Sequence, residues 1–333
     1  MPRKLSVLDL SPIPAGHTPT DALANSVDLA RHAEAAGYHR YWLAEHHNTG
    51  MLACSAPELL ITRIAAATTT LRVGSGGTML PNHSPLKVAE VFRVLEAMFP
   101  GRIDLGLGRA PGTDPVTASA LRRGAAGADD FPGQLADLVG YLKDVMPDGH
   151  PHARVRATPV GVPCPPIWIL GSSLYGARVA AVNGFGFAYA HHIVPENAHA
   201  AMRLYREEFR ASPFGHEPRA ILAVSAICAP EEDEAERLAA TADLSMMRTR
   251  TGRTRHPLPS VEEALAYVYQ PEEEALRQYN RTRIHIGTPQ ALHAAIGTLA
   301  DETLADEIMV TSQIHHHPYR VRSYQLLAQA LMP

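Results

Sequence analysis

Short apolar runs alternate with longer amphipathic stretches eight times along this chain, and that alternation constrains its fold more than any single residue. Leu5–Leu10, Arg40–Ala44, Leu71–Ser75, Ile103–Leu107, Pro166–Leu170, Phe187–Ala190, Ile221–Ile227 and Glu307–Thr311 read as strands. A helical pattern follows each. The first opens at Thr20-Asp21, runs through Leu23, Val27, Ala30, Ala33 and Ala36, and closes at Gly37. A capping residue in front and a glycine behind are the usual punctuation of a helix. Further helices are expected over Pro57–Thr69, Pro85–Met98, Phe131–Val145, Leu174–Asn183, Glu196–Arg210, Glu231–Met247 and Tyr319–Leu331. Strands joined through helices are parallel, because a parallel pair needs a crossover. Eight such units fit a closed (β/α)₈ TIM barrel better than an open doubly wound sheet.

Such a barrel takes roughly 250 residues; the chain has 333, and the surplus falls in two places. Ala110–Asp130 and Gly149–Pro165, around the fourth unit, are rich in Gly, Pro and polar residues. After the seventh strand and its helix comes the arginine-rich Arg248–Pro259, then an acidic stretch of helical character, Ser260–Arg283. The expectation is one barrel domain over residues 1–333, with insertions after strands four and seven. Arg248–Pro259 by itself reads first as a solvated surface loop; the functional reading makes residues 248–283 a lid over the barrel mouth.

Lys and Arg total 30 against 34 Asp and Glu, a net charge of −4, so the chain lacks the dense basic face of a nucleic-acid binder. Three scattered cysteines, Cys54, Cys164 and Cys228, form no disulfide framework and suit a reducing compartment. Asp9 and Pro12 interrupt the apolar run behind the basic start, and no stretch approaches the roughly 20 apolar residues of a membrane span. The expected location is the cytoplasm, with no membrane partner.

Barrel enzymes place their chemistry at the C-terminal ends of the strands. There the sequence sets Glu45-His46-His47, Gly76-Gly77, Gly108-Arg109, Gly171-Ser172-Ser173 and His191-His192, with His315-His316-His317 a few residues past the last strand. Gly171-Ser172-Ser173 opens a helix, whose free N–H groups and hydroxyls suit a phosphate; simple helix capping is the competing reading. Arg109, at the neighbouring strand end, supplies a planar cation for the same phosphate. Gly76-Gly77 either marks a turn or lets backbone approach a flat ring. No GxGxxG and no P-loop is completed. The histidine pairs invite a metal reading, but neighbouring residues on a strand face opposite ways, so one of each pair would miss a shared site. Acid–base work by His46 is favoured over ligation, and no metal is expected there. The triple histidine reads as a solvated loop.

These residues resemble the bacterial luciferase-like flavin monooxygenases. The resemblance is carried by Tyr41–Asn48 (YWLAEHHN), Val73–Pro81 (VGSGGTMLP) with Pro85 and Glu90, Phe99–Asp114 (FPGRIDLGLGRAPGTD), Ile167–Ser173 (IWILGSS), Gly287-Thr288-Pro289 and Asp306–Val310 (DEIMV). It spans nearly the whole chain in order. It implies a barrel that binds reduced FMN supplied by a separate flavin reductase, reacts it with O₂ to a flavin peroxide, and oxygenates a small organic substrate. It places a cis peptide at Gly76-Gly77 under the flavin ring, and phosphate contacts at Arg109, Gly171, Ser172 and Ser173, with Tyr175 beside them. It makes His46 the catalytic histidine, Glu45 the acid that orients ring or histidine, and His47, His191 and His192 the border of ring and substrate. It also implies a homodimer through the helices after the second and third strands, which carry Leu59, Leu60, Ile64, Val88, Val91 and Leu95. Gly108 departs from luciferase itself, which has a cysteine there, so light emission is not implied. The alternatives are an F420-dependent oxidoreductase, a non-catalytic flavin-binding protein and, from another class, a metal-dependent hydrolase built on the histidines.

Overall fold

Each strand places successive side chains on opposite faces, and this chain uses the alternation to fill two separate cores. In the computed structural model, which describes residues 3–122 and 130–332, Val7, Tyr41, Ile167, Phe187, Leu222 and Ile308 point outward against the helices. Their neighbours Leu8, Trp42, Trp168, Ala188, Ala223 and Met309 point inward and pack together inside the barrel.

The strands are β1 (Lys4–Asp9), β2 (Arg40–Leu43), β3 (Arg72–Ser75), β4 (Thr78–Met79), β5 (Ile103–Gly108), β6 (Ile167–Gly171), β7 (Gly186–Ala190), β8 (Ala220–Cys228), β9 (Ile284–Gly287) and β10 (Glu307–Thr311). All pairings are parallel. β10 pairs with β1 on one side and β8 on the other, so the barrel closes. All eight expected strands are present. Two short ones were not expected: β4 continues β3 past Gly76-Gly77 and pairs with β5, and β9 pairs with the far half of β8, Ser225–Cys228.

The helices are α1 (Pro19–Ala35), α2 (Pro57–Ala65), α3 (Pro85–Met98), α4 (Pro115–Leu121), α5 (Phe131–Lys143), α6 (Leu174–Asn183), α7 (Ala198–Glu207), α8 (Glu232–Arg250), α9 (Val261–Ala266), α10 (Pro271–Arg281), α11 (Pro289–Glu302) and α12 (His317–Leu331). At α1, Thr18 accepts from Asp21 N while the Asp21 carboxylate accepts from Thr18 N, a reciprocal capping box.

The structure corrects three expectations. Ala110–Asp130 contains α4, started by Asp114, whose carboxylate accepts from Val116 N and Thr117 N; residues 123–129 of that stretch lie outside the described residues. Arg248 and Arg250 belong to the last turn of α8, where cations complement the helix dipole, so the loop begins only at Thr251. His315–His317 is a solvated loop only at His316, which is exposed: His315 Nε2 lies 2.9 Å from Ala15 O, and His317, already in the first turn of α12, has Nε2 2.8 Å from Asp28 Oδ2 of α1. No helix among the described residues is long and apolar enough to cross a membrane.

The N-terminal end of the barrel is closed by charge. Arg40 donates from Nε and Nη2 to Glu307 (2.7 and 2.9 Å) and from Nη1 to Asp104 Oδ2 (2.7 Å). Arg72 reaches the other Asp104 oxygen at 2.6 Å, and Trp42 Nε1 donates to Oδ2 at 3.1 Å. The attraction of Arg40 and Arg72 outweighs burial and holds the Asp104 carboxyl below its ordinary range. Above this floor Trp42 and Trp168 meet edge to face, with ring centroids 5.5 Å apart.

Candidate active site

At the opposite end the strands stop in register and their last residues share one rim. Leu43 pairs with Ser75, Met79 with Gly108, Gly108 with Leu170, and Gly171 with Tyr189. Arg109 and Ser172 are thus each one step past paired strand ends, and Glu45 two steps past β2.

Glu45 is fully buried and organises one side of the rim. Its carboxylate accepts from Met79 N at 2.9 Å and lies 2.8 Å from His47 Nε2 and 3.0 Å from His83 Nε2. Asn82 Nδ2 adds a 3.3 Å contact and donates to Pro111 O. Burial pushes the Glu45 carboxyl up, but the bonds from His83, His47 and Met79 N outweigh it and hold it below its usual range. The same Glu45 bond raises the His83 imidazole above its ordinary value.

His46 has no such partner. Its Nδ1 is shut off from solvent without a hydrogen bond, and burial lowers its pKa to about 4. Glu45 therefore orients His47 and His83 rather than His46. Both His46 and His47 line a cavity of about 760 Å³, with Asn48, Leu52, Thr117 and Arg255. The expected split of the pair across two faces does not occur, because both residues lie beyond the end of β2, where strand alternation no longer applies.

The cavity's outer wall comes from the segment after α8. Gly50 N and Thr49 Oγ1 donate to Thr254 O (3.0 and 3.2 Å), and Ala15 N donates to Leu258 O at 2.8 Å. This fixes residues 254–258 against the loops after β1 and β2. Arg255 forms no ion pair with any described residue.

Gly76-Gly77 joins β3 to β4 through a cis peptide, as the resemblance implied. A Cβ at Gly76 would sit 2.6 Å from Leu8 Cδ1 and 2.9 Å from Trp42 Cβ; one at Gly77 would sit 2.9 Å from Gly106 O. Only backbone fits there, directly above the tryptophan layer. A Cβ at Gly108 would meet Met79 Sδ at 2.6 Å, so the end of the Met79 side chain takes the room beside Gly108.

The phosphate candidates form a second group. Arg109 lies with its guanidinium 4.7 Å from the centroid of the Tyr175 ring. Ser173 precedes α6 with extended backbone (φ −144°, ψ 162°), and its hydroxyl makes no capping bond. Simple capping by Ser173 is therefore not what the residue does, and the N–H groups of the α6 start stay available beside Gly171, Ser172 and Arg109.

A third group lies past β7. His191 stacks on His285 with centroids 6.0 Å apart; its Nδ1 is buried without a partner, and burial lowers its pKa to about 4. His192 Nδ1 lies 3.0 Å from Ala223 O. Sequence reasoning missed His83, Asn82, His285 and Arg255. His83 stands two residues past Pro81, and β4 with the tight turn after it carries the chain back over Glu45.

These features fit a flavin: a backbone-only platform, an arginine beside an open helix start, and buried imidazole nitrogens awaiting partners. The comparisons agree. A family model described as luciferase-like monooxygenase matches residues 4–309. A luciferase-like monooxygenase of Escherichia coli (strain K12) is 43% identical over 322 residues, covering 96% of this chain and 95% of that protein. An N-acetyl-S-alkylcysteine monooxygenase of Bacillus subtilis is 35% identical, covering 99% of this chain and 98% of that protein. The solved structure of apo-MsnO8 superposes with a TM-score of 0.90 at 41% identity, covering 99% of each chain. At the level of fold alone, the barrel is shared with the oxygenating constituent of 3,6-diketocamphane monooxygenase of Pseudomonas putida, solved with FMN (TM-score 0.73, 17% identity, covering 100% of this chain and 98% of that one). It is likewise shared with an F420-dependent secondary alcohol dehydrogenase (TM-score 0.71, 14% identity, covering 100% of each chain).

Proposed function

The chain belongs to the luciferase-like monooxygenase family and is an oxidoreductase, and from that premise we propose that it is an FMN-dependent monooxygenase acting on a small organic substrate. In this reading a separate flavin reductase delivers reduced FMN, and the protein works in the cytoplasm, where its three free cysteines suit the reducing environment. The observation that carries the reading is the contrast around Glu45: one carboxylate fixes His47, His83 and the β4 backbone, while His46 beside it keeps a buried ring nitrogen free.

Arg109, Gly171, Ser172 and Ser173 hold the phosphate, with Tyr175 supporting the Arg109 guanidinium from its ring face. Gly76-Gly77 carries the flavin ring above Trp42. Reduced FMN, when bound, supplies the two electrons that activate O₂. The protein's share is positioning, exclusion of water and movement of a proton. His46, neutral at pH 7, accepts a proton at one ring nitrogen and donates from the other. His191 and His192 border ring and substrate. Residues 248–283 act as the lid, held at Thr254 and Leu258. Among the described residues that line the cavity, Arg255 brings the one permanent charge, so the substrate carries an anionic end. The relative named for N-acetyl-S-alkylcysteine acts, by that name, on a cysteine derivative, a class that bears a carboxylate.

Of the apolar residues expected at a dimer face, Leu60, Ile64, Val88 and Leu95 are buried against the barrel, and two copies pair instead through what α2 and α3 leave outside, Leu59 (71% exposed) and Met98 (54%); light scattering at twice the chain mass is the expected result. The function is tested by binding FMN and F420, each oxidised and reduced, without oxygen, and then admitting O₂ with candidate acids. Reduced FMN should bind and support substrate-linked oxygen uptake, and Arg109→Ala should weaken binding about tenfold. Binding of F420 alone would move the protein to hydride transfer. Tight FMN without turnover of any acceptor would make it a flavin carrier.

A further inference from the structure

Away from the mouth, the chain between α5 and β6 makes a long excursion pinned at both ends by one buried arginine. Arg93 of α3 donates to Tyr141 O and Leu142 O (2.8 and 3.2 Å), pairs with Asp144 at 2.9 Å, and donates to Ala157 O at 2.7 Å. Between the pins, at Asp144 and Ala157, the loop doubles back over α5. There His150 Nε2 lies 3.1 Å from Asp137 Oδ1, and the His150 and His152 rings meet edge to face with centroids 5.4 Å apart.

We propose that Asp137, His150 and His152 form a binding site for one borderline divalent cation of the zinc class, stapling the middle of this excursion to α5. One donor atom from each of the three residues already lies within 4.8 Å of the other two. In a tetrahedral zinc site, with bonds of about 2.0–2.2 Å, neighbouring ligand atoms stand roughly 3.3 Å apart. The Asp137–His150 pair is at that spacing now. His152 is exposed, so its ring swings in without disturbing a packed core. Two imidazoles and one carboxylate suit Zn²⁺, Co²⁺ or Ni²⁺ and do not suit Mg²⁺ or Ca²⁺, which take oxygen ligands. Water completes the coordination.

Binding also exchanges one hydrogen bond for another contact. His150 Nδ1 now accepts from His152 N at 3.2 Å, so the neutral ring carries its proton on Nε2, facing Asp137. Binding at Nε2 needs the other neutral tautomer: the proton leaves Nε2 and Nδ1 takes one up, the freed Nε2 lone pair goes to the cation, and the long bond from His152 N is given up. Nothing in this site touches the flavin machinery: it hangs between α5 and β6, on the N-terminal side of the sheet. It therefore acts on the stability of that excursion.

The test titrates Zn²⁺ and Co²⁺ into metal-free protein, comparing wild type with Asp137→Asn and His152→Ala. His316→Ala, in the other histidine-rich segment, serves as control. Wild type and His316→Ala should bind one equivalent with the same affinity and show the visible absorption of four-coordinate Co²⁺. The two site variants should lose that absorption and bind at least tenfold more weakly. Zinc should also slow tryptic cleavage after Arg154 and Arg156 in wild type and leave it unchanged in His152→Ala. Equal binding by all four proteins, or none by wild type, overturns the proposal. Circular dichroism of the variants separates loss of the site from loss of fold.

Discussion

The two ends of this barrel are built from similar residues to opposite purpose. At the floor, Arg40, Arg72, Asp104 and Glu307 answer one another almost completely, with Trp42 Nε1 closing the network. At the mouth, His46 and His191 each keep a buried ring nitrogen without a partner, and Arg109 rests on an aromatic face. Satisfied polar groups rigidify, whereas unsatisfied ones wait for a ligand. The comparison teaches that the floor holds paired charge while the mouth holds imidazole nitrogens without partners, although buried groups elsewhere, Trp168 Nε1 and Arg93 Nε among them, also lack one.

The largest effect should come from Arg40→Met, which leaves Asp104 and Glu307 buried with their main counter-ion gone. A loss of about 3–5 kcal/mol of unfolding free energy is expected in denaturant titrations. A loss under about 1 kcal/mol would break the comparison at once.

Glu45→Gln comes next. It preserves the size of the side chain and the bond from Met79 N but removes the charge that sustains His83. A fall of about 10²-fold in kcat is expected, with the pH–rate profile moved to lower pH as His83 beside Glu45 loses the bond that raises it. A merely structural role would lower stability and leave the profile where it is.

Arg255→Ala should raise KM for an anionic substrate about tenfold with kcat little changed, the mark of lost uniform binding. Equal loss for a neutral analogue would remove the charge argument.

The pH dependence of stability tests the comparison as a whole, and its sign follows from the shifts. His46 and His191 titrate near 4 in the folded protein against an ordinary 6.5. Between those values the unfolded chain binds protons that the native mouth refuses, so stability falls as pH drops through that window. His83, raised by Glu45, runs the other way: its contribution is complete below 6.5 and fades as pH rises past its folded value. Asp104, lowered by Arg40 and Arg72, gives up its contribution only as pH falls below its ordinary 3.8. The mouth should soften first on acidification and the floor later. His46→Gln should reduce the slope of melting temperature against pH between about 4 and 6.5, with His191 keeping the remainder, and leave the acid limb below that window intact.

Much of this was legible in advance. The eight strands announced themselves because each pairs an apolar run with a helix bearing its own stop signals. β4 was hidden by its two-residue length. β9, four residues behind an acidic helix, lacked any turn signal of its own. α11 went unread although Thr288 caps it and Leu292, Ile296 and Ala300 mark one face, because the strand–helix count was already complete. At the site, residues beside strand ends were visible from position alone. His83 and His285 were not, because each depends on chain returning from a distance: 38 residues separate Glu45 from His83, and the β8–β9 pairing sets His285 beside His191.

Met79 and Gly108 tie two positions into one inheritance. The sulfur of one occupies the space any side chain at the other would need, and the backbone of the first also donates to Glu45. A side chain placed at 108 displaces only the flexible thioether end of Met79, which can swing aside, whereas trimming position 79 first leaves a void over the glycine. The two positions should therefore covary, with the change at 108 the cheaper first step.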